Sequence, residues 1–152
     1  MLLHEALRIR LKADVAVAAL VEDRIYGAVA AQSTAFPALV YRLINKDPVR
    51  RMNRRGHSGL CRYRFRFLSA CDKEAGGAIG AYATAKAVDE AVRLCLEGFQ
   101  GTITKTTVSP EESVIVNGIF QRNSNDAYED KSQTYHVISD YDVWAVEQQP
   151  ED

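Results

Sequence analysis

The clearest pattern in the chain is the alternation of apolar and basic residues from Cys61 to Phe67, within a strand predicted over Leu60–Cys71. Successive side chains of a strand point to opposite faces, so one face of this segment is apolar and the other is basic. The apolar face holds Cys61, Tyr63, Phe65 and Phe67, and the basic face holds Arg62, Arg64 and Arg66. The pattern predicts an antiparallel strand with one face in the core and the other exposed.

A second spacing, of three and four residues, predicts helices over 3–12, Val15–Val21 and Ala78–Glu97. Leu3, Leu7 and Leu11 mark the apolar face of the first helix. Asp14 is a suitable N-cap for the second helix, and Gly98 is placed to end the third. The solvent-facing side of the third helix is predicted to carry Lys86, Asp89, Glu90, Arg93 and Glu97.

Shorter apolar runs predict the rest of the sheet. Strands are expected at Ala38–Ile44, Val114–Gln121 and Thr134–Val146, with a short β segment at Thr102–Thr107, and loops at Gly27–Phe36, Asn45–Ser58 and Arg122–Gln133. We therefore predict an α+β fold, in which a mainly antiparallel sheet of about four strands is covered on one face by the long helix and the short N-terminal helices. Residues 1–146 form one domain, and 147–152 form a polar tail that we expect to be disordered.

Composition fits this prediction, because 152 residues with 47% hydrophobic and 26% charged side chains are ordinary for one soluble globular domain. The apolar runs are too short to span a bilayer, and the N-terminus has no signal-peptide pattern, so no membrane partner is expected. Cys61, Cys71 and Cys95 have neither disulfide-framework nor zinc-site spacing. We expect them to be buried free thiols in a reducing cytosol.

Charge is distributed unevenly, although the net charge is only -1. Nine basic residues and one acid between Arg42 and Arg66 give a net charge of +8. Ten acids and two basic residues between Glu111 and Asp152 give -8. The two regions could neutralise each other within one folded chain, or they could form complementary faces between identical subunits. The sequence leaves both interpretations open.

No catalytic, metal or cofactor site is predicted. The stretch from Gly56 to Leu60 approaches the nucleophile pattern G-x-S-x-G, but Leu60 stands at the last position, and the stretch precedes a strand where the true motif follows one. The row Arg62, Arg64 and Arg66 has a spacing of about 7 Å that could follow a nucleic-acid backbone. Nucleic-acid-binding domains are usually strongly basic overall, so a solvated or subunit-facing row is favoured.

A series of short motifs carries a family resemblance. In order, the motifs are Glu22–Gly27, Phe36–Tyr41, Ala81–Lys86, Val88–Val92 and Leu96–Gly101. Their order and spacing resemble the phage tail-completion or tail-terminator family, and the resemblance extends from Leu3 to Trp144. It implies a structural, non-enzymatic virion protein with no cofactor. The alternatives are another neck (head-completion) protein, or a nucleic-acid-binding module that uses Arg50–Arg66.

The resemblance also implies partners and a location. It predicts a homo-oligomeric ring of six subunits that caps the tail tube, joins it to the head connector or stopper protein, and lets DNA pass through a central channel. The protein would be assembled in the host cytoplasm and reside at the tail–neck junction of the virion.

The predicted interface residues come from the charged segments and from a motif at Tyr128 and Glu129 that resembles one in the family. They are Arg50, Arg51, Arg54, Arg55, Arg62, Arg64, Arg66, Tyr128, Glu129, Asp140 and Asp142. Asp140 and Asp142 lie on the polar face of the last predicted strand, so we predict that they face arginines of the next subunit.

Overall fold

A computed structural model describes residues 1–30, 34–49, 59–73, 77–107 and 109–147, apart from the side chains of 77–79. Its elements are α1 (Leu3–Ala13), α2 (Val15–Val21), β1 (Ile25–Gly27), β2 (Ala38–Pro48), β3 (Leu60–Asp72), α3 (Gly77–Leu96), β4 (Gly101–Lys105), β5 (Glu112–Glu129) and β6 (Thr134–Val146). The strands form one sheet in the order β1-β2-β3-β6-β5-β4. The predicted bounds of the three helices and of β3 and β6 are right to within a residue.

The predicted fold class, a sheet of about four antiparallel strands covered by a long helix, is wrong. The structure has a six-stranded mixed sheet that forms a half-barrel with three helices. β1 runs parallel to β2, and its three residues are too few to show an alternating pattern. Register shifts in β2 and β5 mark bulges, which bend strands and increase their twist.

Two predicted loops are partly strand. β5 continues to Glu129 through most of the predicted loop Arg122–Gln133, and β2 continues to Pro48. Both extensions are polar and exposed, so they carry no apolar pattern. Backbone pairing with β6 and β3 holds them in the sheet.

The core lies between the helices and one face of the sheet, which we call the covered face. As alternation predicted, Phe65 and Phe67 point there and share one cluster of buried residues with Val88 and Val92 of α3. The Phe67 ring meets the ring of Tyr141 edge-on, with centroids 5.5 Å apart. Such aromatic pairs add to the stability that burial itself supplies.

Helix ends behave as the sequence predicted. The Asp14 carboxylate accepts a hydrogen bond from the backbone N–H of Val17 at 3.0 Å, which caps α2. Beyond α3, Gly98 has a φ of +73°, a conformation that glycine adopts without strain. Its N–H donates to the carbonyl of Ile119 at 2.8 Å, which ties the end of α3 to β5.

Asp89 is an exception, because it was predicted on the solvent-facing side of α3 and is buried against the sheet. Its carboxylate accepts a hydrogen bond from Ser139 Oγ at 2.5 Å, and Ser124 Oγ lies 3.0 Å from Ser139 Oγ. Burial raises the pKa of Asp89 above its usual range, while the bond from Ser139 and the charge of Lys86 oppose that rise. A buried polar cluster therefore interrupts the apolar contact between α3 and β6.

Candidate functional site

The face of the sheet that turns away from the helices, which we call the open face, carries rows of charged side chains. Strand register places Arg66 between Arg42 on β2 and Asp140 on β6, and Asn123 on β5 completes this row. The next row aligns Arg64 with Asp142. The alternation predicted for β3 and β6 is what brings these residues onto one face.

The strongest contact on the open face joins Arg66 to Asp140. The guanidinium donates twice to the carboxylate, from Nε at 2.8 Å and from Nη2 at 3.1 Å. The Asp140 side chain is only 8% exposed, so the pair is partly shielded from water. The Arg66 guanidinium holds the pKa of Asp140 below its usual range, against the opposing effect of burial.

The other arginines of β3 are also paired within the chain. Arg62 Nη2 lies 2.7 Å from the Asp47 carboxylate. Asp142 lies between two arginines, Arg122 at 2.9 Å and Arg64 at 3.6 Å. The contact to Arg64 is too long for a hydrogen bond and acts as an ion pair only.

These contacts support the first of the two interpretations that the sequence left open, in which the basic and acidic regions neutralise each other within one folded chain. Arg62, Arg64 and Arg66 are neutralised within one chain, and the acids predicted to meet them across a subunit boundary, Asp140 and Asp142, belong to that neutralisation. The same pairing offsets the positive charge that phosphates would meet on β3, which disfavours the nucleic-acid interpretation. Arg50, Arg51, Arg54 and Arg55 lie outside the described residues.

An apolar hollow lies beside the charged rows on the open face. Its volume is about 520 Å³, and Val40, Leu68 and Ile138 line its floor. Arg42 and Glu129 lie at its edges. A second hollow, of about 610 Å³, lies between the start of α1 and the β2–β3 pair, and Arg42 also lines it.

Tyr128 and Glu129 lie at the exposed end of β5, where a loop was predicted. The Tyr128 ring packs at 4.7 Å from the ring of Tyr135, and the ammonium of Lys73 lies 5.3 Å from its centroid. Glu129 accepts a hydrogen bond from Ser132 at 2.7 Å across the turn that follows. Both residues are therefore held in a strand and are presented to solvent.

The described part of the chain contains no group of three or more histidine, cysteine, aspartate or glutamate side chains placed to hold a metal ion. Cys61, Cys71 and Cys95 are buried, as predicted. Burial raises the pKa of Cys95 to about 11, so its thiol is unreactive at neutral pH. None of the described helices has the length and hydropathy needed to cross a membrane.

Comparison with known proteins decides the family. Residues 5–145 match the family model described as Tail completion protein gp17. The chain belongs to this family. The family is one of structural virion proteins, so the resemblance predicted from the sequence is confirmed.

A solved structure supports the fold. The chain superposes on a protein in the virion of a native gene transfer agent (GTA) particle with a TM-score of 0.66. The two chains share 21% sequence identity, and the match covers 95% of this chain and 94% of the other. At that identity the likeness shows a shared fold. No curated protein matches the chain.

For this member of the tail completion family, sequence reasoning missed several residues of the open face. Arg42, Asp47 and Arg122 were not predicted to contact the charged rows. Arg42 lies inside the predicted strand Ala38–Ile44, whereas Asp47 and Arg122 lie in segments that were predicted as loops. Continuing the alternation of polar and apolar positions places Arg42 and Arg122 on the open face. The bulge at Ile44 hides the position of Asp47, because it shifts the alternation of β2 by one residue.

Proposed function

We propose that this chain is a tail-terminator subunit that assembles with copies of itself into a ring at the end of the tail tube. The ring, of six subunits, caps the tube and provides a docking surface for the head connector or stopper protein, with DNA passing through its channel at the tail–neck junction. Membership of the Tail completion protein gp17 family across residues 5–145 is the observation that carries the proposal.

The geometry supports a structural function. A ring of identical subunits requires two different surfaces on each subunit, one complementary to the other. By sequence, the connections between strands at the two ends of the sheet differ in charge. The connection from Pro48 to Leu60 leaves one end and carries the basic sequence of Arg50–Arg55. The connection from Glu129 to Thr134 leaves the other end, next to Asp126 and Asp130.

The paired charges also suit a rigid structural part. Across β3 and β6, ion pairs join neighbouring strands on the open face while the aromatic core joins them on the covered face. Opposite charges placed directly across two strands stabilise the pairing and oppose a slip in register. A subunit held in this way can present fixed surfaces to a tube and a connector.

Electron microscopy of tails tests the proposal. Tail tubes made without this protein are mixed with the purified chain, and the position of the added density is recorded. We expect a ring at one end of each tube and recovery of the tubes' ability to join heads. Density on the head connector alone would indicate the neck-protein alternative, and binding to free DNA with a steep salt dependence would indicate the nucleic-acid module. Either result would overturn the proposal.

A further inference from the structure

The sheet ends in two edges that are only partly covered. β1 pairs with β2 only along Leu39–Tyr41, and β4 pairs with β5 only along Glu112–Val116. Beyond these, Gln121 donates its N–H to Glu97 at the end of α3. Within the described residues, no backbone hydrogen bond reaches the outer side of Arg42–Pro48 on β2 or of Arg122–Glu129 on β5. We call these two segments the free β2 edge and the free β5 edge.

The free β5 edge is unusual because it is exposed on both faces. Every side chain from Arg122 to Glu129 is exposed, although the segment keeps full backbone pairing with β6 on its inner side. An edge of this kind presents unpaired N–H and C=O groups that another strand can use. Its polar sequence keeps it from pairing with unrelated apolar strands.

We propose that the free β5 edge of one subunit pairs, antiparallel, with the free β2 edge of a second copy of this chain. The proposal rests on the ring proposed above and names the contact that closes it. β2 and β5 run in opposite directions within the sheet. Subunits that share one orientation around a ring axis therefore place β2 of one antiparallel to β5 of the next.

The side chains match in one register of that pairing. With Glu129 opposite Arg42 on the open face, Tyr128 comes opposite Leu43 on the covered face. The bulge that skips Ile44 keeps the two faces aligned further along, where Asp126 comes opposite Lys46. One register thus provides two pairs of opposite charge and one apolar pair.

Arg42 gives this register a specific driving force. It lies directly across from Arg66, a like charge, and Arg66 is already paired with Asp140. Like charges opposed across a strand pair are unfavourable, and Arg42 is exposed and makes no salt bridge among the described residues. Among the described residues, the Glu129 carboxylate accepts a side-chain hydrogen bond from the Ser132 hydroxyl. A carboxylate from a neighbouring subunit would offset the repulsion at Arg42.

The apolar pair adds a second contribution. Leu43 is 48% exposed and Tyr128 is 39% exposed, although both lie in paired strands. Placed opposite each other on adjoining edges, they cover each other's exposed apolar surface. Lys46 and Asp126 already have partners in the chain, Glu147 and Lys86, so their contact would be shared.

The positions of the two edges fit a closed ring. The free β5 edge is offset from the free β2 edge by about six residues in the strand register, or about 20 Å. Moving from one β2 to the next crosses four strands, which is about 19 Å. A ring joined in this way has strands tilted by about 45° to its axis, and closed barrels typically tilt their strands by 35–45°.

A disulfide cross-link tests the register. The chain is made with Leu43→Cys and Tyr128→Cys together, assembled with tail tubes and oxidised. Opposed residues of antiparallel strands lie at a distance that a disulfide can bridge. We expect covalent multimers under non-reducing conditions. The matched control pairs Leu43→Cys with Phe120→Cys, which places the second cysteine on β5 outside the free edge and on the open face, and it should give none.

A charge exchange tests the same contact without cysteines. Arg42→Glu alone and Glu129→Arg alone should each lower ring formation at least tenfold, and the double variant that carries both should recover most of it. Lys131→Glu, in the turn next to the free β5 edge, is the control and should leave ring formation unchanged. Circular dichroism of every variant establishes that the subunit is folded.

The outcomes separate this inference from the proposed function. Rings that form while the Leu43/Tyr128 pair stays unlinked and the charge exchange fails to restore assembly would overturn the strand pairing and leave the tail-terminator function intact. Wild-type protein that forms no ring on tail tubes would overturn the function, and the strand pairing with it.

Discussion

The two faces of the sheet are built from the same strands, yet they stabilise the protein in different ways. On the covered face, Phe67 and Tyr141 are fully buried, and the hydrophobic effect dominates. On the open face, Arg66 and Asp140 occupy the neighbouring positions of the same two strands, and their contact is an ion pair in partial contact with water. Side chains one residue apart on the same strand therefore stabilise the protein by different interactions, which are burial of apolar surface on the covered face and ion pairing on the open face.

The difference shows which face is free to take on a function. Losing apolar volume from the covered face leaves a cavity that the surrounding core fills only in part. An ion pair in contact with water can be exchanged at small cost, because water can solvate the charges that remain. Evolution can thus alter the open face and the sheet edges to suit a partner while the covered face keeps the fold.

The largest effect is expected from Phe67→Ala. Phe67 is 0% exposed and meets the Tyr141 ring edge-on, so its removal should lower the free energy of unfolding by about 3–5 kcal/mol. Chemical denaturation followed by circular dichroism measures the change. Phe120→Ala is the control, because Phe120 lies on the open face and is 52% exposed, and it should cost less than about 1 kcal/mol. Equal losses in the two variants would refute the assignment of faces.

A smaller loss is expected from Asp140→Ala on the open face. The change leaves Arg66 without its two hydrogen bonds, and because Arg66 is partly exposed we expect a loss of about 1–2 kcal/mol at pH 7. Denaturation at several pH values measures it. Asp140→Asn keeps the shape of the side chain and removes its charge, so it separates the ionic part from the packing.

The pH dependence of that loss has a definite sign. Arg66 lowers the pKa of Asp140 in the folded state, so the stabilisation is present above the unfolded value of about 4 and is lost as the pH falls through the folded value. Wild type and Asp140→Ala should therefore converge in stability in acid. A difference that stayed constant from pH 7 down to pH 2 would show that the pair is not the source.

The sequence predicted the covered face better than the sheet edges, for a physical reason. Burial of Phe65, Phe67, Tyr141 and Val143 follows from their alternation with charged residues, because a half-buried strand requires that pattern. The second half of β5 has no buried face, so nothing in its side chains distinguishes it from a loop. Its strand conformation comes from pairing with β6, a contact distant in sequence.

The candidate site shows the same limit. Arg62, Arg64 and Arg66 were predicted to share an exposed face, and they do. Their partners could not be predicted, because Asp47 reaches the open face through the bulge at Ile44 and Arg122 begins a polar segment that has no apolar pattern. Asp89 was predicted on the solvent-facing side of α3 and is buried, because the spacing of residues along a helix does not show which side chains of the sheet lie opposite. Ser139, which donates a hydrogen bond to Asp89, could not be predicted from that spacing.

Asp89→Asn examines the buried polar cluster of Asp89, Ser139 and Ser124 on the covered face. Burial raises the pKa of Asp89 in the folded state, so its contribution to stability is greatest below the unfolded pKa of about 4 and declines as the pH rises through the folded value. The nearby charges are Lys86, Glu90 and Asp126. An amide accepts the same bond from Ser139 and cannot ionise. The variant should differ from wild type by less than about 1 kcal/mol at pH 4 and gain on it towards pH 7.

Denaturation at pH 4, 5.5 and 7 measures that gain. Asp14→Asn is a suitable control, because asparagine caps a helix about as well as aspartate. Parallel stability curves for wild type and Asp89→Asn across this range would contradict an ionisable group buried beneath α3.

The smallest effect is expected from Arg62→Ala, at the end of the charged rows. Arg62 reaches Asp47 at 2.7 Å, as close as any contact between Arg66 and Asp140, but the side chains of Arg62 and Asp47 are 37% and 46% exposed. Water solvates these charges in the folded and unfolded states alike, so the close distance brings little net stabilisation. We expect a change in stability within experimental error, at both low and high salt. A salt-dependent loss as large as that of Asp140→Ala would mean that distance, rather than shielding from water, decides what an ion pair contributes on this face. The two faces would then differ less than their burial indicates.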